Sequence, residues 1–128
     1  MSLVAVVVAL ALIEFFVFGL LVGRARQTYG VPAPAIAGHP VFDRYMRAHQ
    51  NTMEQLVVFV PAMWLFATYV SANIGALLGL VFVIGRVLYM RGYVQDPSKR
   101  SVGFAVSAIP LLILLLGSVV GASLAWLR

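Results

Sequence analysis

Residues 104–127 read FAVSAIPLLILLLGSVVGASLAWL, a run in which no side chain is charged. A helix needs about 20 residues to cross the ~30 Å hydrocarbon core of a bilayer, and this run supplies them. The run from Leu3 to Gly23 does the same. Two further apolar stretches, Leu56 to Val70 and Ile74 to Gly85 continuing to Val94, complete the set. The second is too short to span alone, so its helix must reach back through Asn51 and Glu54. The whole chain is 62% hydrophobic and 10% charged, a composition suited to lipid and poorly suited to a soluble globular domain. The sequence thus predicts an all-α fold, an integral membrane four-helix bundle. Its helices cover approximately residues 3–25, 46–71, 74–95 and 102–127, within one domain over residues 1–128.

The charges give an orientation. Arg24, Arg26, Arg44 and Arg47 fall in the connection between the first two helices, and Arg91, Lys99 and Arg100 in the one between the last two. The turn Ser71-Ala72-Asn73 carries none. The positive-inside rule then places both basic connections in the cytoplasm and both termini on the other side. The net charge of +5 is explained by topology, without nucleic acid. No basic leader precedes the first segment, which reads as a retained helix rather than a signal peptide. The short loops point to a bacterial inner membrane. With no cysteine, the chain has no disulfide, no thiolate metal site and no thiol nucleophile of its own; no metal is expected, and a reactive thiol must be brought in.

Gly30, Pro32, Pro34, Gly38 and Pro40 make the first connection a loop whose tip is placed to cover a site. Pro61 and Pro110 predict kinks inside apolar helices. Gly19 with Gly23, Gly75 with Gly79, and Gly117 with Gly121 predict close helix packing.

Two polar stripes stand out. At about 100° per residue, Arg47, Asn51, Glu54 and Gln55 share one face of the second helix, and Arg86, Tyr89 and Tyr93 one face of the third. Anchoring at a membrane boundary does not require a guanidinium, an amide and a carboxylate in line, so the first stripe reads as a binding site for a small anionic ligand. The tyrosines alone would suit an interfacial belt, but their alignment with Arg86 favours the site. Arg86 lies about 18 Å into the core, at nearly the depth of Glu14 on the first helix. Each charge left unpaired there costs at least ~2.5 kcal/mol, so a structural intramembrane ion pair between Glu14 and Arg86 is expected, one that fixes helix packing.

The string Arg47-Ala48-His49-Gln50-Asn51-x-x-Glu54, then Trp64, then Gly85-Arg86-x-x-Tyr89-x-x-Gly92-Tyr93-x-x-Asp96-Pro97-x-x-Arg100, resembles the MAPEG family, the membrane-associated proteins in eicosanoid and glutathione metabolism. The resemblance covers nearly the whole chain, with two linked motifs in order. It implies a homotrimer of four-helix subunits that holds glutathione between neighbouring subunits near the cytoplasmic face, and a membrane-bound glutathione transferase or peroxidase that conjugates or reduces lipophilic electrophiles. By position it implies glutathione contacts at Arg47, His49, Asn51, Glu54, Tyr89 and Tyr93, with Arg26 reaching in from the adjacent subunit and Arg100 beside the thiol as the catalytic residue.

Those residue types suit the ligand. Arginine grips carboxylates bidentately, Glu54 accepts an ammonium, Asn51 bridges amides, and tyrosine hydroxyls donate to carboxylate or thiolate. A thiol with a pKa near ~8.5 is mostly protonated at neutral pH, while its thiolate is the nucleophile. Arg100, always charged, stabilises the thiolate; a shift of two units takes about 2.7 kcal/mol. Gln27 stands where some eicosanoid-forming members have a second arginine, and Gln55 where some have a tyrosine. Detoxification is therefore the expected chemistry, ahead of eicosanoid synthesis. Two other classes compete. One is a non-catalytic lipid-binding member, against which the joint retention of Arg47, Glu54 and Arg100 argues. The other is a small multidrug transporter with a membrane glutamate such as Glu14, which has no need of the Arg47 to Glu54 stripe.

Overall fold

The computed structural model describes residues 1–128 as four helices: α1 (Ser2–Tyr29), α2 (Pro40–Tyr69), α3 (Ala72–Gln95) and α4 (Arg100–Leu127), with a 3-10 turn at Pro97–Lys99 leading into α4. The expected all-α bundle is what the chain forms. α1 packs on α2 and α3, α4 packs on the same two helices, and the α3–α4 contact is the most extensive.

The core is built from Val4, Val7 and Ala11 of α1, Phe59, Met63 and Phe66 of α2, Phe82 of α3 and Leu114 of α4. Phe59 and Phe82 stack with ring centroids 4.0 Å apart. Only 32 of 128 residues are buried, and Leu10, Phe16, Leu77, Ile84, Leu112 and Leu116 point outward. An outer surface this apolar is stable against lipid or another subunit, not against water. α1, α3 and the run from Pro97 through α4 are each long and apolar enough to cross a membrane. α2 is not, because its first half carries the polar stripe; three helices, not four, meet that test on their own.

α2 begins six residues before the expected start at 46 (46 − 40 = 6). Pro40, read from the sequence as a loop residue, is the first helical position, where its missing N–H costs nothing. His39 caps the helix through Nδ1, which accepts from the Val41 N–H at 3.1 Å. The loop between α1 and α2 shrinks to residues 30–39.

α3 and α4 meet backbone to backbone. A Cβ added at Gly85 would lie 2.5 Å from the Ser107 backbone nitrogen, and one added at Gly103 would overlap the backbone of Tyr89. Small residues permit this approach, and it sets Tyr89 and the start of α4 side by side. Of the pairs expected to mediate packing, Gly75 with Gly79 and Gly117 with Gly121 lie against α2, whereas Gly23 meets nothing.

Candidate functional site

At the end of the bundle that carries loop 30–39 and the 3-10 turn, a groove of about 390 Å³ is lined by Arg47, Gln50, Asn51, Glu54, Tyr89, Tyr93 and Arg100. The size suits a small-molecule ligand. α2 contributes its lining at one-turn spacing, α3 contributes both tyrosines four residues apart, and α4 contributes its first residue. A smaller recess shares Arg47 and Gln50 with the groove and is bordered by Ile36 and Ala37, so the loop tip does lie beside it.

The floor rests on Arg86, which is fully buried. Its Nη2 donates to Asn51 Oδ1 at 2.7 Å and to Thr52 Oγ1 at 2.9 Å. Nε also donates to Thr52, and Nη1 donates to Ser107 Oγ at 3.3 Å. The guanidinium carbon sits 4.2 Å from the centroid of the Tyr89 ring. A guanidinium has five donors and no acceptor. The Asn51 atom facing it must therefore be the carbonyl oxygen, which leaves the amide NH₂ for the groove. Thr52 and Ser107 in turn donate to the carbonyls of Ala48 and Gly103, so the network links α2, α3 and α4.

The rim depends on the 3-10 turn. Asp96 Oδ1 accepts from the Ser98 N–H at 3.0 Å, and this backbone hydrogen bond holds the Asp96 carboxyl below its ordinary value. The turn ends at Arg100, whose Nη1 donates to the Pro97 carbonyl at 3.2 Å. Its guanidinium lies 5.8 Å from the Tyr93 ring centroid. Arg47, Glu54 and Arg100 are exposed at the mouth, while Tyr89 and Tyr93 are buried in the wall. Arg44 donates to the Val94 carbonyl at 3.2 Å, closing the end of α3 against α2.

Several expected site residues lie elsewhere. The direct pair between Glu14 and Arg86 does not form: Arg86 spends its donors on Asn51, Thr52 and Ser107, and neither buried Glu14 oxygen has a hydrogen-bond partner. Equal depth placed the two charges at one level, but the nearby hydroxyls and amide reach the guanidinium first. His49 turns away from the groove and stacks on Phe15 of α1, centroids 4.4 Å apart and planes 6° from parallel. Arg26 also lies outside it; its Nη1 donates to the Ala35 carbonyl at 2.7 Å and its guanidinium covers the Phe42 ring, so it ties down loop 30–39. Gln55 is replaced in the lining by Gln50. At 100° per residue both flank the Arg47–Glu54 line, on opposite sides, and the groove opens on the Gln50 side. Thr52 and Ser107 had no assigned role from sequence. Thr52 falls on an unspecified position of the quoted motif, next to Asn51, whereas Ser107 sits one turn beyond Gly103 with nothing to mark it.

The groove thus offers two guanidiniums, one carboxylate, two amides and two phenols. Such a set can hold a small zwitterion of net negative charge, with the excess cation left at the rim.

The chain is similar to known proteins over nearly its whole length. An uncharacterized protein of Synechocystis sp. is 44% identical over 122 residues, covering 95% of this chain and 88% of its own length. Human microsomal glutathione S-transferase 2 is 39% identical over 117 residues, 91% of this chain and 80% of its own. Leukotriene C4 synthase of Cavia porcellus is 33% identical over 114 residues, 89% and 76% respectively. Residues 3–120 match the MAPEG family as a whole, so this chain, an integral membrane bundle of apolar helices, belongs to the MAPEG family.

Proposed function

We propose that the protein is a membrane-bound glutathione S-transferase that conjugates lipophilic electrophiles and, with the same co-substrate, reduces lipid hydroperoxides. The observation that carries this reading is the groove in which Arg47, Glu54 and Arg100 stand around Asn51 and two tyrosines. Glutathione has two carboxylates, one ammonium, two peptide groups and a thiol. Arg47 takes a carboxylate bidentately, Glu54 takes the ammonium, and the Asn51 NH₂ donates to a carbonyl or carboxylate oxygen. The hydroxyls of Tyr89 and Tyr93 donate to the remaining acceptors.

Arg100 faces the sulfur. It cannot accept a proton at neutral pH, so the thiol proton passes to solvent and the guanidinium stabilises the thiolate left behind. With an aryl halide, the sulfur forms a bond to the ring carbon and the halide leaves with its electron pair. With a hydroperoxide, two thiols supply the electrons, giving a disulfide, an alcohol and water. The groove is open along one side, and the apolar outer surface of the bundle suits a homotrimer in which a neighbour closes it. In that assembly Arg26 would approach from the adjacent subunit with the N–H groups that loop 30–39 does not use. The relatives named as glutathione S-transferases support the reading.

The test is turnover by the detergent-purified protein with glutathione and a chromogenic aryl halide, and separately with a lipid hydroperoxide. Conjugation above the uncatalysed rate is expected. No conjugation, no peroxide reduction and no calorimetric binding of glutathione would overturn the reading.

A further inference from the structure

A second cleft opens at the same end of the bundle and shares no lining residue with the first. One recess of about 600 Å³ is lined by Leu21, Tyr45, Leu88, Arg91 and Val94 among others, and a neighbouring one of about 210 Å³ by Leu21, Arg24, Thr28 and Tyr45. Leu21 and Tyr45 are common to both, so the two are one cleft. Arg24 and Arg91 stand exposed at its edges. No acidic residue lines it.

The chain's four acids lie elsewhere: the Glu14 carboxylate oxygens are buried in the bundle, Asp43 accepts from the Gly38 N–H, Glu54 lines the first groove and Asp96 caps the 3-10 turn. Away from the basic edge, the walls continue as exposed apolar rows. Ile84, Val81 and Leu77 follow Leu88 on α3 at the three- and four-residue spacing of one helical face, and Val17 and Leu10 continue from Leu21 on α1 with Glu14 between them, its carboxylate oxygens buried in the bundle. Two cations and a phenol therefore stand over an apolar seam long enough to take a chain.

We infer that this cleft binds an anionic phospholipid, its phosphate between Arg24 and Arg91 with the Tyr45 hydroxyl donating, and an acyl chain along the α1–α3 seam. Basic pockets between membrane helices recognise such headgroups. A second copy of the chain fits less well, since it carries a net charge of +5. The site does not depend on the glutathione reading.

The test uses the full chain reconstituted in phosphatidylcholine bilayers containing a minority of phosphatidylglycerol, with retained lipid counted by native mass spectrometry. Phosphatidylglycerol should be enriched over the bulk bilayer. The double variant Arg24→Gln with Arg91→Gln should lower its relative affinity by about 25-fold. The charge-matched double variant Arg47→Gln with Lys99→Gln should retain the enrichment. Added phosphatidylglycerol, unlike added phosphatidylcholine, should raise the Tm of the wild-type protein, a readout that needs no variant. Equal loss in both double variants, no enrichment or no selective Tm rise in the wild type, or a changed subunit count in the Arg24 and Arg91 variant would overturn the inference, the last by making the cleft a subunit contact.

Discussion

Arg86 Nη2 donates to Asn51 Oδ1 at 2.7 Å, and through this one contact a fully buried cation decides which end of an amide the groove presents. The chemical consequence is selective: a ligand meeting Asn51 must bring an acceptor.

Asn51→Asp separates the two ends of that amide. The substitution keeps the acceptor for Arg86 and turns a contact charged on one side into an ion pair, while a second oxygen replaces the NH₂ in the groove. The Tm should equal or exceed that of the wild type, and glutathione affinity should fall by roughly tenfold to a hundredfold. Calorimetry decides: affinity within about twofold of wild type would mean that the carbonyl faces the groove.

Glu14→Gln addresses the pair that does not form. Neither carboxylate oxygen accepts a hydrogen bond, and a charge left near the bilayer centre costs at least ~2.5 kcal/mol. The variant is expected to melt at or above the wild-type temperature in detergent. A clear drop in Tm would show that Glu14 holds Arg86 directly.

Gly103→Ala forces a methyl group onto the Tyr89 backbone. The variant should lose about 1–3 kcal/mol of stability and bind glutathione more weakly, because Tyr89 and Arg100, which both line the groove, lie on the two helices that meet there. Gly23→Ala is the control, as a Cβ there meets nothing within 4 Å. Similar melting curves for the two variants would contradict the backbone contact.

Much of this was legible from the residues alone. Apolar run lengths predict four helices, and the 100° period places Arg47, Asn51 and Glu54 on one face of α2 and Tyr89 and Tyr93 on one face of α3, because that period is a property of the helix itself; that the two faces share one site was implied by the family resemblance. What escaped depended on rotation and on neighbours. Helical spacing could not tell Gln50 from Gln55, since both flank the same line and only the side on which the groove opens chooses between them. Depth along the helix suggested that Glu14 would meet Arg86, yet depth is one coordinate of three, and Thr52 and Ser107 occupy the space between helices. His49 sits inside the motif but points to α1, where Phe15 offers a flat partner. Pro40 was read as a breaker, although proline at a first helical position starts a helix.

Arg47 and Arg100 share a groove but not a role. Arg47→Ala removes a carboxylate partner in ground and transition states alike, so KM for glutathione should rise about tenfold or more with kcat little changed. Arg100→Ala should lower kcat with a smaller change in affinity. Steady-state kinetics with varied glutathione distinguishes the two, and the reverse pattern would exchange their assignments.

The central claim is that the groove turns glutathione into a thiolate at neutral pH, and ultraviolet thiolate absorbance measured as glutathione is added to the purified protein tests it most directly. The wild type should show bound thiolate with an apparent pKa about two units below the ~8.5 of a free thiol, and Arg100→Ala should return that value toward the reference while still binding glutathione. Thiolate absent from the saturated wild type, or formed equally by Arg100→Ala, would contradict the account.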